Sequence, residues 1–479
     1  MAEQSEYDVV VLGAGPVGQV AADRCRAAGL TVAIVERELV GGECSYWGCI
    51  PSKAMLRPVL ALNDARRLDG ARSAITGRLD PQGVFRRRDK YTTNWDDSGQ
   101  AAWVNSIGAD LVRGQARLDG PRRVAVQTPD DRVVVLTARQ AVVVAVGSRA
   151  ALPDIPGIAE ARPWTNRRAT DEHMVPERLL VVGGGPVGVE MATAWQGLGS
   201  SVTLVSRTTS LLPQMEPFVA TMVEHGLKEG GVEVRTGVLV TELRRPDPNG
   251  PVTASLEDGV ELVADEVLFA VGRVPLTGDI GLETVGLTPG TWLDVDDSCT
   301  VRGVDGHWLY AIGDINHRAL LTHEGKYQAR IVGNVIAART AGQALDAAPW
   351  SPHMASADRH AVPQVIFTDP EAGMVGMSAH EAERAGHRIA VVDVDMAKTI
   401  GTLLWADDYT GHARMVVDLE TETLLGFTSV GPGVAELLHS ATVAIAGQVP
   451  IDRLWHAVPV FPTISEVWLR LLEAYRDRP

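Results

Sequence analysis

Cysteine is scarce in this chain: Cys25, Cys44, Cys49 and Cys299 are the only four among 479 residues. So few sulfurs cannot staple a chain of this length. None is needed, because 45% apolar and 22% charged residues are ordinary for a globular protein that buries its own core. Positive charge is also in deficit. The 44 Lys and Arg against 60 Asp and Glu leave a net charge of −16, which disfavours nucleic acid, since phosphate binding needs clustered cations. The one basic run, Arg86-Arg87-Arg88, reads as a solvated helix face. No apolar stretch approaches the roughly 18 residues of a membrane span, so no membrane partner is expected. The start, Met1 to Tyr7, is polar and acidic, without the apolar core of a secretory signal, and a strand is expected directly after it. The expected location is therefore the cytoplasm. In that reducing compartment a close cysteine pair serves catalysis more often than structure. No low-complexity segment occurs, and the length suggests about three domains.

What the chain does contain is a repeat. DVVVLGAGPVGQVAADRCRAAGLTVAIVER (8–37) aligns without a gap on RLLVVGGGPVGVEMATAWQGLGSSVTLVSR (178–207) at an offset of 170. Gly13, Gly15 and Gly18 fall on Gly183, Gly185 and Gly188. Each copy reads as strand, glycine turn, helix and strand, with Pro16 opening the first helix. The glycines allow a tight turn and let backbone N–H groups approach a pyrophosphate at the helix N-terminus. Two matched copies predict two Rossmann-like units, one for each of two dinucleotides. A parallel fold with glycine turns and no ligand is the competing reading.

The copies differ at the end of the second strand. Glu36, 18 residues after Gly18, can accept hydrogen bonds from a ribose 2′-OH. Its counterpart is Ser206, followed by Arg207. With no acid to repel a 2′-phosphate and an arginine at hand, NADPH is favoured over NADH for the second copy. Arg37 stands at the corresponding place in the first copy, which weakens the contrast, and Arg207 also reads as an ordinary surface side chain.

Past the first copy lies Gly41-Gly42-Glu43-Cys44-Ser45-Tyr46-Trp47-Gly48-Cys49-Ile50-Pro51-Ser52-Lys53. Cysteines five apart on a regular helix would be about 7.5 Å apart along its axis. A disulfide wants Cα atoms roughly 5.5–6 Å apart, so the segment 44–48 is expected to be bent, helped by Gly48. Pro51 suits the first turn of a following helix, which places Cys49 at a helix N-terminus, where a thiolate is stabilised. Zinc would require two more ligands at matching spacing, and none is nearby, so no metal is expected. Two buried structural thiols remain the alternative.

These residues resemble the flavin–disulfide motif of the pyridine nucleotide–disulfide oxidoreductases, the family of dihydrolipoamide dehydrogenase, glutathione reductase and mercuric reductase. The similarity extends along the chain. Ala145-Val146-Gly147-Ser148, with Ile155-Pro156-Gly157, resembles the crossover out of the FAD domain, and Val271-Gly272-Arg273-Val274-Pro275 resembles the return. Tyr310-Ala311-Ile312-Gly313-Asp314 is similar to the second FAD motif, and PQVIFTDPEAGMVG from Pro363 resembles the start of a dimerisation domain. The resemblance implies bound FAD and a nicotinamide dinucleotide. It makes Cys49 the thiol against the flavin and Cys44 the thiol that exchanges with substrate. It also puts Lys53 near flavin N5, Glu190 in a pair with Lys53, and Asp314 on the ribityl chain. The plain alternative for Lys53 and Glu190 is two unrelated surface charges.

One departure matters. Most members carry a catalytic histidine near the C-terminus; here the stretch is Val460-Phe461-Pro462-Thr463-Ile464-Ser465-Glu466, with Phe461 in the histidine's place and Glu466 retained as a candidate catalytic group. Phenylalanine transfers no proton, and general acid–base help contributes about 10²–10⁴-fold. His456 and His323 are candidate substitutes. Phe461, Tyr46 and Trp47 are candidates for an apolar wall suited to a flat acceptor. Mercuric reductases also lack the histidine, but no cysteine pair occurs in the last residues, Tyr475 to Pro479.

The expected fold class is α/β: two Rossmann-like dinucleotide-binding domains plus a C-terminal α+β dimerisation domain. Residues 1–155 and 282–350 form the FAD domain, 156–281 the NAD(P) domain and 351–479 the interface domain of a homodimer. Residues 54–110 should hold long helices, 246–250 a turn, and 388–394 and 414–418 antiparallel strands. The expected activity moves electrons from NADPH through FAD to the Cys44–Cys49 pair, and on to a small acceptor such as an unusual disulfide. A quinone or oxygen reductase acting directly from FAD, and a flavin-binding redox sensor with little turnover, are the competing readings.

Overall fold

The computed structural model describes residues 3–478, so Met1, Ala2 and Pro479 of the terminal segments read above lie outside it. The chain divides into two compact units. One comprises the residues up to Pro51, Asp89–Ala150 and Arg273–Arg359; the other comprises Ser52–Arg88, Ala151–Gly272 and the residues from His360 onward.

The first unit is built on parallel strands in the order Asp110–Arg113, Val32–Glu36, Glu3–Leu12, Val133–Val144 and Leu309–Ala311, with Gln115–Leu118 and Arg123–Gln127 added antiparallel. The runs Val9–Leu12 and Val32–Glu36 are buried throughout, as strands covered on both faces must be. The first strand starts at Glu3 instead of after Tyr7. Its long partner Val133–Val144 pairs with Glu3–Tyr7 as well, through backbone hydrogen bonds that polar residues make as readily as apolar ones. Helix Pro16–Ala27 carries Ala21, Ala22 and Cys25 into the core.

In the second unit, Glu233–Thr236, Ser201–Ser206, Arg178–Val182 and Glu266–Phe269 form a parallel sheet, and helix Pro186–Leu198 is buried along nearly its whole length. A three-stranded antiparallel meander runs over Val240–Arg244, Val252–Leu256 and Glu261–Ala264, and the expected turn at 246–250 joins its first two strands. A five-stranded antiparallel sheet contains Ile389–Asp395 and His412–Asp418, the two strands expected there, with Pro363–Ile366, Ala372–Gly376 and Thr423–Val430. Helices Leu438–Ala446 and Val467–Arg476 pack against it.

The arginine run is not a uniformly solvated face. On helix Pro81–Tyr91, Arg88 is 0% exposed. Its guanidinium donates to the Glu172 carbonyl at 2.5 Å, lies 2.8 Å from His173 Nε2 and sits over the Phe85 ring. A planar, weakly hydrated cation can be buried when its donors find acceptors, a circumstance that helical periodicity does not report.

Candidate functional site

Both glycine turns are shaped by close approach. A Cβ on Gly18 would lie 1.9 Å from the Gly13 carbonyl oxygen, and one on Gly188 would lie 1.8 Å from that of Gly183. Gly13 and Gly183 have φ of +97° and +124°, a region favouring glycine. At Gly15 and Gly185 a Cβ would meet nothing within 4 Å, so each turn faces open space at the N-terminus of its helix. The first turn of a helix leaves N–H groups without intrahelical partners, and an anion placed there is stabilised. In the first unit Gly42 closes that space from the other side, its Cβ position 3.0 Å from Gly15 Cα. A pyrophosphate therefore fits both turns.

The second-strand residues differ as side chains. Buried Glu36 accepts from the Ala14 N–H at 2.8 Å and the Glu38 N–H at 2.8 Å, holding the first turn in place. Arg37 is tied down by Gln115 at 3.2 Å and Asp279 at 3.8 Å. In the second copy the buried Ser206 hydroxyl meets the Thr208 hydroxyl at 2.8 Å, while Arg207 is exposed and pairs with no carboxylate among the described residues. The two arginines, alike in sequence, are thus unlike in availability.

The crossovers meet as a two-stranded ribbon, Ser148–Ala150 antiparallel to Arg273–Pro275. Ser148 donates from its hydroxyl to Asp314, and Arg273 Nε donates to the Ser148 hydroxyl at 2.6 Å. Gly147 and Gly313 take left-handed φ of +74° and +75° beside this cluster, and Gly272, the residue before Arg273, takes +135°. Sequence motifs placed Gly147, Gly272, Gly313 and Asp314 individually; the Arg273–Ser148–Asp314 clamp was missed.

Cys44 lies on the short helix Gly42–Tyr46, and the bend expected across 44–48 falls at Trp47-Gly48, after which helix Cys49–Arg66 begins. Both cysteines are free thiols, in hydrogen-bonding reach of each other. Cys49 Sγ lies 3.4 Å from the Thr322 hydroxyl. The neighbouring Cys49, then burial, pushes the Cys44 thiol above its ordinary range, while Thr322 and Lys326 act in the opposite sense. Thr322 was missed because nothing in its own neighbourhood marks it. Cys25 and Cys299 are both 0% exposed, and burial pushes Cys25 up to about 12 and Cys299 higher still.

The expected apolar wall loses two members. Tyr46 is 1% and Trp47 8% exposed, packed edge to face inside the first unit, with Tyr46 bonded through its hydroxyl to Val40 and Gln100.

In the second unit, Lys53 Nζ donates to Glu190 Oε2 at 2.6 Å, and Glu190 Oε1 accepts from the Phe367 N–H at 3.1 Å. Lys53 also lies 5.0 Å from the centre of the Phe367 ring. Two residues 137 apart in sequence are thus brought together, with Phe367 as a third partner that was missed. Glu466 is 3% exposed and accepts from the Gly401 N–H at 3.2 Å, with Arg470 at 3.5 Å. Phe461 is 68% exposed, and His456 is exposed as well.

Behind Thr322, helix Thr322–Thr340 buries Glu324 against Asp358. Glu324 Oε2 and Asp358 Oδ1 find no hydrogen-bond partner among the described residues, and the two buried carboxyls act on each other. Burial first, then the Asp358 charge, pushes Glu324 up to about 8. Asp358 is also raised by burial, against the pull of Arg318. Gln328 links the pair to the FAD-type motif: it donates to Asp358 at 2.9 Å and accepts from the Gly313 N–H at 2.8 Å. A carboxyl whose folded pKa is raised contributes stability that is full below its unfolded value and is lost as pH rises to about 8. Glu324→Gln is therefore expected to gain on the order of 2 kcal/mol at pH 8, a few degrees in Tm, and nothing at pH 5. Parallel Tm-against-pH curves for the two proteins would refute this.

Comparison with known proteins gives the family and the fold. Residues 7–342 match the family described as pyridine nucleotide-disulphide oxidoreductase, and residues 362–471 match its dimerisation domain. The chain belongs to this family. It is an FAD-dependent pyridine nucleotide–disulphide oxidoreductase, and members bind FAD and use NAD(P)H. Among relatives, the dihydrolipoyl dehydrogenase of Haloferax volcanii is 31% identical over 477 residues, covering 97% of this chain and 95% of that protein. The dihydrolipoyl dehydrogenase of Thermus scotoductus is 31% identical, covering 98% and 97%. A mercuric reductase of Staphylococcus aureus is 27% identical, covering 96% and 81%. The HOCl-induced flavoprotein disulfide reductase RclA of Escherichia coli, solved as a Cu(II) complex, superposes with a TM-score of 0.83 at 22% identity, covering 98% of this chain and 99% of that one, and shares the fold. The two Rossmann-like units and the α+β C-terminal part are the α/β architecture expected for the oxidoreductase. No described helix is long and apolar enough to cross a membrane.

Proposed function

We propose that the oxidoreductase passes electrons from NADPH, by way of FAD, to the Cys44–Cys49 pair and on to a small disulfide or other thiol-reactive acceptor. The observation that carries this reading is the pair itself: two thiols within reach of each other, with the Thr322 hydroxyl 3.4 Å from Cys49. FAD supplies the two-electron chemistry that links a nicotinamide to sulfur. The chain's residues do the rest. Gly13, Gly15, Pro16, Gly18 and Gly42 cradle the FAD pyrophosphate, Glu36 orders that turn and meets the ribose, and Asp314, clamped by Ser148 and Arg273, takes the ribityl chain. Gly183, Gly185 and Gly188 hold the dinucleotide, and Lys53, held by Glu190, is assigned to the charge of the reduced flavin.

In turnover, the Cys44 thiolate attacks one sulfur of the acceptor disulfide, whose S–S bond breaks, and the departing thiolate takes a proton from water. The Cys49 thiolate then attacks the Cys44 sulfur. That closes the Cys44–Cys49 disulfide and releases the second thiolate, so two electrons leave the pair. Residues 1–155 and 282–350 are assigned to FAD, 156–281 to NADPH and 351–479 to the interface of a homodimer. Glu466, bound to Gly401, braces the C-terminal segment. An anaerobic NADPH titration tests the core of this reading: a long-wavelength charge-transfer band shows a Cys49 thiolate beside the flavin, and a bleached flavin without that band overturns it.

The free Arg207 supports NADPH over NADH. Arg207→Ala is expected to lower kcat/KM for NADPH about 10–100-fold, the loss of one charge-assisted phosphate contact, and to leave NADH nearly unchanged. An equal fall for both cofactors would remove Arg207 from specificity.

A further inference from the structure

The family's usual proton-transferring histidine is replaced by Phe461, so the thiol pair needs its charge balanced from elsewhere. Outside its own segment, the start of helix Thr322–Thr340 approaches the pair. Thr322 touches Cys49. Lys326 lies four residues on, hence on the same helical face, and its positive charge acts on Cys44. It is half-buried, and its ammonium pairs with no carboxylate among the described residues, although the same helix carries Glu324 on its buried face. Lys53 and Lys228, by contrast, find acids, Glu190 and Glu224, each at 2.6 Å. The other charges nearby are committed. Glu43, beside Cys44 in sequence, has Arg273 at 4.0 Å. Asp358 neighbours Glu324 and has Arg318 at 3.5 Å. Among the described residues, Lys326 is the cation whose charge acts on Cys44.

We propose that Lys326 is a positioning residue for the redox pair: its unpaired ammonium, one helical turn beyond the Thr322 hydroxyl, favours the thiolate at Cys44 and so sets the pH range in which that thiol exchanges with acceptor. This rests on the reading of Cys44 as the exchanging thiol. A neighbouring cation favours the charged form of an ionising sulfur. The role is electrostatic, so arginine serves where methionine does not.

The test reads Cys44 itself. Holoenzyme is reduced with dithiothreitol, freed of reductant without air, and alkylated with iodoacetamide from pH 5.5 to 9.5, with modification at Cys44 followed by mass spectrometry. Lys326→Met is expected to raise the half-maximal pH by about one unit and to slow alkylation at pH 7 about tenfold, with Lys326→Arg retaining the parent profile. A K326M profile that overlies the parent's, or a K326R profile that follows K326M, overturns the proposal. Should K326M not retain FAD, K326Q is measured against the same criteria. The NADPH titration on the unmodified holoenzyme separates the two levels. A charge-transfer band together with an unmoved alkylation profile leaves the redox pair standing and removes Lys326. Absence of that band removes the redox pair, whatever the alkylation shows.

Discussion

Cys44→Ser should lower NADPH-dependent reduction of a disulfide acceptor by a factor on the order of 10³ or more, while the protein still binds FAD. The size follows from the role. Removing a nucleophile that forms the covalent intermediate leaves only binding and positioning, and such losses run from about 10³ to 10⁶-fold. FAD retention follows from placement, because the Gly13–Gly18 turn and Asp314 take their partners from Gly42, Ser148 and Arg273 and none from Cys44. Flavin reduction by NADPH should also persist, since FAD receives the electrons before the thiols do. The variant discriminates between readings. A quinone or oxygen reductase working directly from FAD would keep its full rate in Cys44→Ser, and a sensor would consume negligible NADPH with every acceptor even before mutation. Full disulfide-reductase activity in the variant would exclude the thiol pathway.

The second large effect is expected from a matched pair of glycines. Gly18→Ala puts a methyl group 1.9 Å from one carbonyl oxygen, and Gly188→Ala puts one 1.8 Å from its counterpart. Backbone cannot yield that far without opening the turn. Overpacking of this kind costs about 1–3 kcal/mol or more, and the upper part of that range corresponds to roughly 100-fold in affinity. Gly18→Ala should be purified with little FAD. Gly188→Ala should be purified yellow, with NADPH affinity reduced about 100-fold. Were Gly188→Ala to lose flavin and keep NADPH affinity, the assignment of the two turns would have to be exchanged.

Much of this was legible before any coordinates. The repeat at a fixed offset named both nucleotide turns, because a βαβ unit and its glycines are contiguous in sequence. The five-residue cysteine spacing predicted a bend, which falls at Trp47-Gly48. Lys53 and Glu190 were paired through resemblance, and their Nζ–Oε2 contact is 2.6 Å. What stayed hidden was created by tertiary neighbours. Thr322 lies 273 residues from Cys49, and no local pattern links them. Arg88 sits in a basic run, yet its burial depends on the Glu172 carbonyl and His173. Arg37 and Arg207 hold equivalent positions in the repeat, and Gln115 and Asp279, both distant in sequence from Arg37, make them unequal.

The two interior cysteines give the oxidoreductase a simple sulfur inventory. Cys25 and Cys299 are sealed from solvent and held neutral by burial, so a water-borne oxidant or heavy-atom reagent meets Cys44 and Cys49 alone. Protein with the pair reduced should titrate with Ellman's reagent as two sulfhydryls when native and four when denatured. Thiol oxidation that leaves the fold intact will accordingly be confined to the pair that NADPH can regenerate.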